Sequence, residues 1–140
     1  MSGETFVDTN ILIYAYDSDA GSRHSKALST VQDLWESKKG ILSTQVFQEF
    51  YVNVTKKIPT PLSPTIARGI IENYFAWQVQ LIHPATILLA SEFQERHRLS
   101  YWDAMIVAAA YEGNANVILT EDLNHGQDIE GIQIVNPFHS

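Results

Sequence analysis

The stretch Ser100-Tyr101-Trp102-Asp103-Ala104 opens an apolar run that continues to Ala110. It places the carboxylate of Asp103 between bulky aromatics and apolar side chains, where an unpaired charge is costly. One interpretation is structural: Ser100 caps a helix and Asp103 is its third residue, so that each side chain accepts a hydrogen bond from the other's backbone N–H. The alternative is a bound metal ion, which requires further carboxylates that can reach Asp103.

The composition is typical of a globular protein. The chain has 140 residues, of which 45% are hydrophobic and 18% charged, which predicts a single domain, residues 1–140, around one core. The apolar runs are too short to cross a bilayer, and no basic region follows Met1 to start a signal peptide. The absence of cysteine excludes disulfides and thiolate metal sites. We therefore expect a cytoplasmic protein with no membrane partner.

The charge of the chain limits how it could bind nucleic acid. A formal net charge of -7 argues against a protein that relies on a broad basic surface. It does not exclude a nuclease, because carboxylates that bind divalent cations add to the negative count and the bound ion reverses the local field. The basic groups Lys38-Lys39, Lys56-Lys57 and Arg96-His97-Arg98 lie near the ends of predicted helices. Solvated helix ends are the more common role of such groups, and phosphate contacts the less common one.

Short apolar strands alternate with helices along the chain. The predicted strands are residues 5–8, 41–43, 79–82, 117–120 and 132–135, and the predicted helices are 11–16, 23–38, 45–57, 64–77, 84–98 and 102–111. This order predicts an α/β fold, a three-layer sandwich with a mostly parallel central sheet of about five strands. We also expect Thr9-Asn10 to cap the first helix, Gly40 to end the second, and residues 123–131 to form a loop.

Four acidic residues, widely separated in sequence, converge in this arrangement. Asp8 and Asp122 follow strands directly, and Glu49 lies near the start of a helix that follows a strand. The helix of Asp103 feeds through a short link into the fourth strand, so it begins at the same carboxyl edge of the sheet, where ligands bind. Carboxylates brought together repel unless a cation lies between them. An all-oxygen set suits Mg²⁺ or Mn²⁺ and is typical of phosphoryl transfer or phosphodiester hydrolysis.

Three of these acids also have a purely structural interpretation. Asp8 could serve only as a helix cap, Glu49 could lie in solvent at a helix edge, and Asp122 could occupy a turn. If the fourth strand continued, Thr120 and Asp122 would share one side of it, which favours Asp122 over Glu121 as the inward acid.

Two neutral polar residues lie close to the acids in sequence. Asn10 and Thr120 could orient ligands or water from behind the carboxylates. Helix capping and strand-end hydrogen bonding account for them at least equally well. The residues by themselves leave both interpretations open.

The segments around the acids resemble the four acidic motifs of the PIN domain. In chain order they are Val7-Asp8-Thr9-Asn10-Ile11-Leu12, Gln48-Glu49-Phe50, Ser100-Tyr101-Trp102-Asp103-Ala104 and Leu119-Thr120-Glu121-Asp122-Leu123. The tail is similar to that of VapC-type toxins of prokaryotic toxin–antitoxin pairs, through His125-Gly126-Gln127 and Ile134-Val135-Asn136-Pro137-Phe138. The resemblance covers nearly the whole chain, and the acidic positions all agree.

This resemblance implies an endoribonuclease that depends on Mg²⁺ or Mn²⁺ and hydrolyses RNA phosphodiester bonds. Asp8 and Asp103 would bind the metal directly, while Glu49 and Asp122 would complete the shell or hold its waters. Asn10 and Thr120 would lie behind them. The resemblance also implies a homodimer and a cognate antitoxin.

Two other functions are compatible with the residues. One is a small-molecule phosphohydrolase with Asp8 as an aspartyl nucleophile, although no second acid follows two residues later. The other is a non-catalytic PIN-like module that only binds RNA. The aromatic residues Tyr16, Tyr101 and Trp102 could stack on bases in either RNA-binding case, but core packing is the more common role of such side chains.

Overall fold

The structure, a computed structural model, describes residues 4–139. Its strands are β1 (Thr5–Val7), β2 (Gly40–Ser43), β3 (Gln78–Gln80), β4 (Val117–Leu119), β5 (Asp128–Ile129) and β6 (Ile132–Val135). They form one six-stranded sheet in the order β3-β2-β1-β4-β6-β5. Every pair is parallel except β5 and β6, which run antiparallel. The predicted mostly parallel sheet is confirmed.

The sheet has one strand more than the sequence predicted. Residues 123–131, expected to be a loop, contain β5, which pairs with β6 through Asp128–Gln133 and Ile129–Ile132. The two strands are joined by Glu130 and Gly131, whose φ angles of 55° and 84° are both positive. Two consecutive positive φ angles match the twist of a tight hairpin, so this pair closes a two-residue turn.

Among residues 4–139, six α-helices surround the sheet: α1 (Thr9–Tyr16), α2 (Ser22–Ser37), α3 (Thr44–Val52), α4 (Pro64–Tyr74), α5 (Pro84–His97) and α6 (Tyr101–Glu112). A π-helical turn, Asn53–Lys57, continues α3. α1 packs against α2 and α3, α3 against α4, and α5 against α6. Because crossovers between parallel strands are right-handed, the return from β3 to β4 places α5 and α6 on the opposite face from α1–α4. In the part of the chain described, no helix is long and apolar enough to span a bilayer.

The end of α2 differs from the prediction that Gly40 stops this helix. The helix ends at Ser37, and Lys38 takes the left-handed conformation with φ 61°. Gly40 is instead the first residue of β2, and a Cβ atom there would lie 2.2 Å from the ring of Trp77. Glycine is needed at this position because the indole packs directly onto the backbone.

The topology places one point of the sheet edge in a special position. β1 lies between β2 and β4, and the chain moves from β1 to β2 and β3 on one side but to β4 and β6 on the other. The strand order therefore reverses between β1 and β4, which is where parallel α/β sheets open a crevice for ligands. The N–H of Asp8 donates to the carbonyl of Leu119 at 3.0 Å and holds the ends of the two strands together.

Candidate active site

A cleft of about 450 Å³ opens at this reversal point, and all four predicted acids line it. Asp8 comes from the end of β1, Glu49 from α3, Asp103 from the first turn of α6, and Asp122 from the segment after β4. The other residues that line the cleft are Thr9, Asn10, Gln45, Gln48, Val52, Asn53, Lys57, Trp102 and Ile106.

Asp8 is the most buried of the four acids, with 6% of its surface exposed. Its Oδ1 accepts a hydrogen bond from the N–H of Thr9 and its Oδ2 one from the hydroxyl of Thr120, both at 2.7 Å. Burial raises the pKa of Asp8 to about 6 and the charges of Asp122 and Asp103 add to this rise, against the lowering effect of the two hydrogen bonds. Asp8 is also the N-cap of α1, so the expectation that Thr9-Asn10 caps this helix is wrong. Capping and a place in the cleft coexist in one carboxylate.

Asp122 lies at the outer side of the cleft and is tied to the rest of the site by two polar residues. Its N–H donates to Thr120 Oγ1 at 3.1 Å, and its Oδ2 accepts from Asn10 Nδ2 at 3.2 Å. Burial raises the pKa of Asp122, and Asp103, Glu121 and Glu49 raise it further. Thr120 therefore bridges two acids, because its hydroxyl donates to Asp8 and accepts from the backbone of Asp122.

The neighbouring acid, Glu121, faces away from the cleft. It accepts hydrogen bonds from the hydroxyl of Tyr14 and from Arg23 Nε, the latter at 3.1 Å. The structure thus places Asp122, and not Glu121, among the residues that line the cleft. Alternation of side chains along the strand predicts the same choice.

Glu49 is half-buried and held by two residues outside the predicted site. Thr9 Oγ1 donates to its Oε1 at 2.6 Å, and Gln45 Nε2 lies 3.5 Å from its Oε2. Gln45 is one helical turn before Glu49, a spacing that predicts contact between the two side chains. No sequence pattern predicts the contact of Thr9 with Glu49, because it joins two different helices, α1 and α3.

Asp103 makes only half of the predicted capping box. Its N–H donates to Ser100 Oγ at 3.1 Å, so Ser100 is the N-cap of α6 as expected. The reverse bond does not form, and the Asp103 carboxylate accepts no hydrogen bond from any residue between positions 4 and 139. It is left free at the wall of the cleft.

The donor set fits a hydrated divalent cation. Within the described chain, Asp8, Glu49, Asp103 and Asp122 form no ion pair, and their charges raise the pKa values of Asp8 and Asp122. In the part of the chain that the structure describes, no three acidic, histidine or cysteine side chains lie close enough together to bind one ion directly. Mg²⁺ keeps several waters and needs only one or two direct carboxylates, so a site that is open and rich in oxygen suits it.

The three aromatic residues singled out in the sequence have different environments. Tyr16 contacts Phe50 edge-on and its hydroxyl lies 2.8 Å from that of Tyr74, in the core. Tyr101 is half-buried and packs against Trp102. Trp102, in contrast, is 64% exposed and lines the cleft. Core packing therefore describes Tyr16 but not Trp102.

A model of the PIN domain matches residues 5–127. The chain belongs to the PIN domain family. The four carboxylates of the cleft all lie within the matched segment. No protein of curated function matches this PIN chain by sequence.

Several solved structures share its fold. VapC20 of Mycobacterium tuberculosis, described as a sarcin-ricin loop cleaving toxin, is 21% identical with a TM-score of 0.65, over 85% of this chain and 92% of its own. A toxin–antitoxin complex from Klebsiella pneumoniae is 17% identical with a TM-score of 0.72, over 98% of this chain and 100% of its own. DNA-bound VapBC from Salmonella typhimurium is 17% identical with a TM-score of 0.65, over 94% and 96% respectively. At these identities the likeness establishes the PIN fold.

Proposed function

We propose that this PIN protein is a divalent-metal-dependent endoribonuclease and the toxin of a toxin–antitoxin pair. The observation that carries the proposal is the cleft itself, which is lined by four carboxylates from separate elements, none of them paired with a cation in the described chain. Membership of the PIN family supports nuclease chemistry. The description of VapC20 as a toxin that cleaves the sarcin-ricin loop, a statement about that protein, supports RNA as the substrate class here.

Mg²⁺ or Mn²⁺, when bound, would activate water and stabilise the charge that develops on the phosphodiester oxygens. In our proposal Asp8 and Asp103 hold the ion directly, and Glu49 and Asp122 hold it through water or complete its shell. The protein's contribution is to aim these oxygens before the metal arrives. Three neutral residues do so: Thr120 fixes the Asp8 carboxylate, Thr9 fixes Glu49, and Asn10 fixes Asp122.

The proposed partners follow from the same comparisons. Two of the structures with the same fold are toxin–antitoxin complexes, which supports a cognate antitoxin for this chain. We also propose a homodimer, which light scattering of the purified protein would test against a monomer. We also propose a cytoplasmic location, which suits cellular RNA as the proposed substrate and an antitoxin as the proposed partner.

Cleavage of mixed cellular RNA in Mg²⁺ tests the proposal. The wild-type protein is expected to cut RNA in Mg²⁺ and not in EDTA, and Asp8→Asn and Asp103→Asn are expected to cut far more slowly. Asp33→Asn is the matched control, because Asp33 is an exposed acid on α2 away from the cleft. Equal cleavage by the two cleft variants and the wild type would refute the site.

Two further outcomes separate the alternatives. Turnover of an aryl phosphate with a trapped phosphate ester on Asp8 would indicate the small-molecule phosphohydrolase instead. Binding of RNA with no cleavage under any metal condition would indicate the non-catalytic module.

A further inference from the structure

We propose that Trp102 and Lys57 hold the RNA strand in the cleft, with a base stacked on the indole of Trp102 and a backbone phosphate paired with the ammonium of Lys57. This inference rests on the proposed function and names how its substrate is held. It assigns to the two residues a positioning role.

Trp102 is placed as a stacking surface. It directly precedes Asp103 in α6, lines the cleft, and has 64% of its surface exposed although it begins an otherwise buried apolar segment. Tyr101 contacts it edge-on, with ring centroids 5.1 Å apart and an interplanar angle of 81°. One neighbour thus braces the indole while most of its surface faces solvent. Bases stack on such aromatic side chains with little regard to sequence.

Lys57 is the only basic residue among those that line the cleft within the described chain. It ends the π-helical turn that continues α3, and π-helical turns are found frequently at functional sites. Its ammonium forms no ion pair with any described residue, although four carboxylates line the same cleft. It is therefore available to a phosphate.

The charge of the whole protein makes these two contacts important. With a net charge of -7, the protein has no excess of positive charge to attract RNA over a wide surface. Affinity must then come from the metal and from a few local contacts. A stacked base adds binding free energy that does not depend on charge, and one lysine adds a single phosphate contact.

The test is the binding of a labelled single-stranded RNA of mixed sequence, followed by fluorescence anisotropy in Mg²⁺ with Asp8→Asn as the non-cleaving background. Trp102→Ala is expected to weaken binding roughly 5- to 150-fold, the range found for loss of one stacked base, while Trp102→Phe keeps most of the affinity. Lys57→Ala should weaken binding and reduce the slope of log K against log salt by about 0.7. The matched controls are Phe75→Ala and Lys56→Ala, both exposed residues outside the cleft, which should bind like the background.

A second readout is RNA cleavage by variants that carry the same substitutions but keep Asp8. Loss of a positioning contact should raise KM more than it lowers kcat. Binding by Trp102→Ala and Trp102→Phe equal to that of the controls, or an unchanged salt slope in Lys57→Ala, would overturn the inference even if the protein cleaves RNA. Weakened binding by these variants together with no cleavage by the wild type would leave the RNA contact standing and overturn the proposed ribonuclease.

Discussion

Asp8→Asn is expected to stabilise the metal-free protein at neutral pH while removing its activity. Asp8 is 6% exposed, and this burial raises its pKa, with a further rise from the charges of Asp122 and Asp103. Asparagine has nearly the same shape and can still cap α1, but it carries no charge. The substitution therefore removes both a buried negative charge that destabilises the folded protein and a proposed metal ligand.

The size of the effect follows from the proton affinity of Asp8. The pKa rises from its ordinary value of 3.8 to about 6 in the folded protein, and each tenfold change in proton affinity corresponds to ~1.4 kcal/mol. Since the folded state holds the proton more tightly than the unfolded state, stability is lost as the pH rises from about 4 through about 6, and the loss reaches ~3 kcal/mol. Asparagine does not titrate, so the variant does not lose this stability, but its hydrogen bond with the Thr120 hydroxyl is weaker by ~1 kcal/mol. The net gain at about pH 7.5 is ~2 kcal/mol.

Urea denaturation followed by circular dichroism measures this difference. In EDTA the variant should be more stable than the wild type at about pH 7.5, and the advantage should disappear near pH 4. In excess Mg²⁺ the wild type should gain stability and the variant should gain less, because the proposed metal binds only the folded site. A variant that is less stable at about pH 7.5 in EDTA, or a difference that does not change with pH, would refute this explanation of the buried carboxylate.

Three further predictions concern the support of the site and the sheet. Thr120→Val should lower Mg²⁺ affinity, measured by calorimetry, and the rate of RNA cleavage, each by about 10- to 100-fold. Thr120→Ser keeps the hydroxyl and should leave the affinity and the rate unchanged. Equal behaviour of the two variants would contradict the bridging role of the hydroxyl. Asp122→Asn should slow RNA cleavage about 10- to 100-fold. Glu121→Gln should leave the cleavage rate unchanged and alter the free energy of unfolding by less than ~1 kcal/mol. A larger loss of cleavage in Glu121→Gln than in Asp122→Asn would mean that the wrong acid was assigned to the site. Gly40→Ala should destabilise the protein by ~1–3 kcal/mol in urea denaturation, because its Cβ meets an indole ring. Gly69→Ala, whose Cβ has nothing within 4 Å, should stabilise the protein by ~0.5–1 kcal/mol. A neutral effect of Gly40→Ala would show that the indole moves aside at little cost.

The carboxyl-edge position of the acids could be predicted from the sequence because it depends on the order of elements. Asp8 and Asp122 directly follow apolar strands, and parallel strands end at a common edge. Asp103 could be placed by following its helix into β4. These steps need only local patterns and the expectation of a mostly parallel sheet.

Contacts between elements could not be predicted in this way. The bond from Thr9 to Glu49 joins residues 40 positions apart and depends on how α1 packs on α3. Lys57 reaches the cleft because α3 continues into a π-helical turn, a change that the sequence does not indicate. In these cases the tertiary packing determines which side chains meet.

Two errors have a different cause, in that the local pattern allowed more than one structure. Residues 101–112 are so apolar that the sequence does not show which side of α6 faces the solvent. The pattern favours core packing for Trp102 over base stacking, and the side chain is exposed. The sequence predicts a loop at Glu130-Gly131, where the structure has a hairpin turn, because a strand of only two residues before the turn leaves no recognisable pattern.

The most direct test of the proposed site is a double-mutant comparison of RNA cleavage in Mg²⁺ with Asp8→Asn, Asp103→Asn and the two combined. If both carboxylates hold one metal, each single variant should lose roughly 100-fold or more in kcat/KM, and the double variant should lose little more than either. If the losses multiply, or if either single variant cleaves like the wild type, the two acids do not act as one site and the proposed mechanism is wrong.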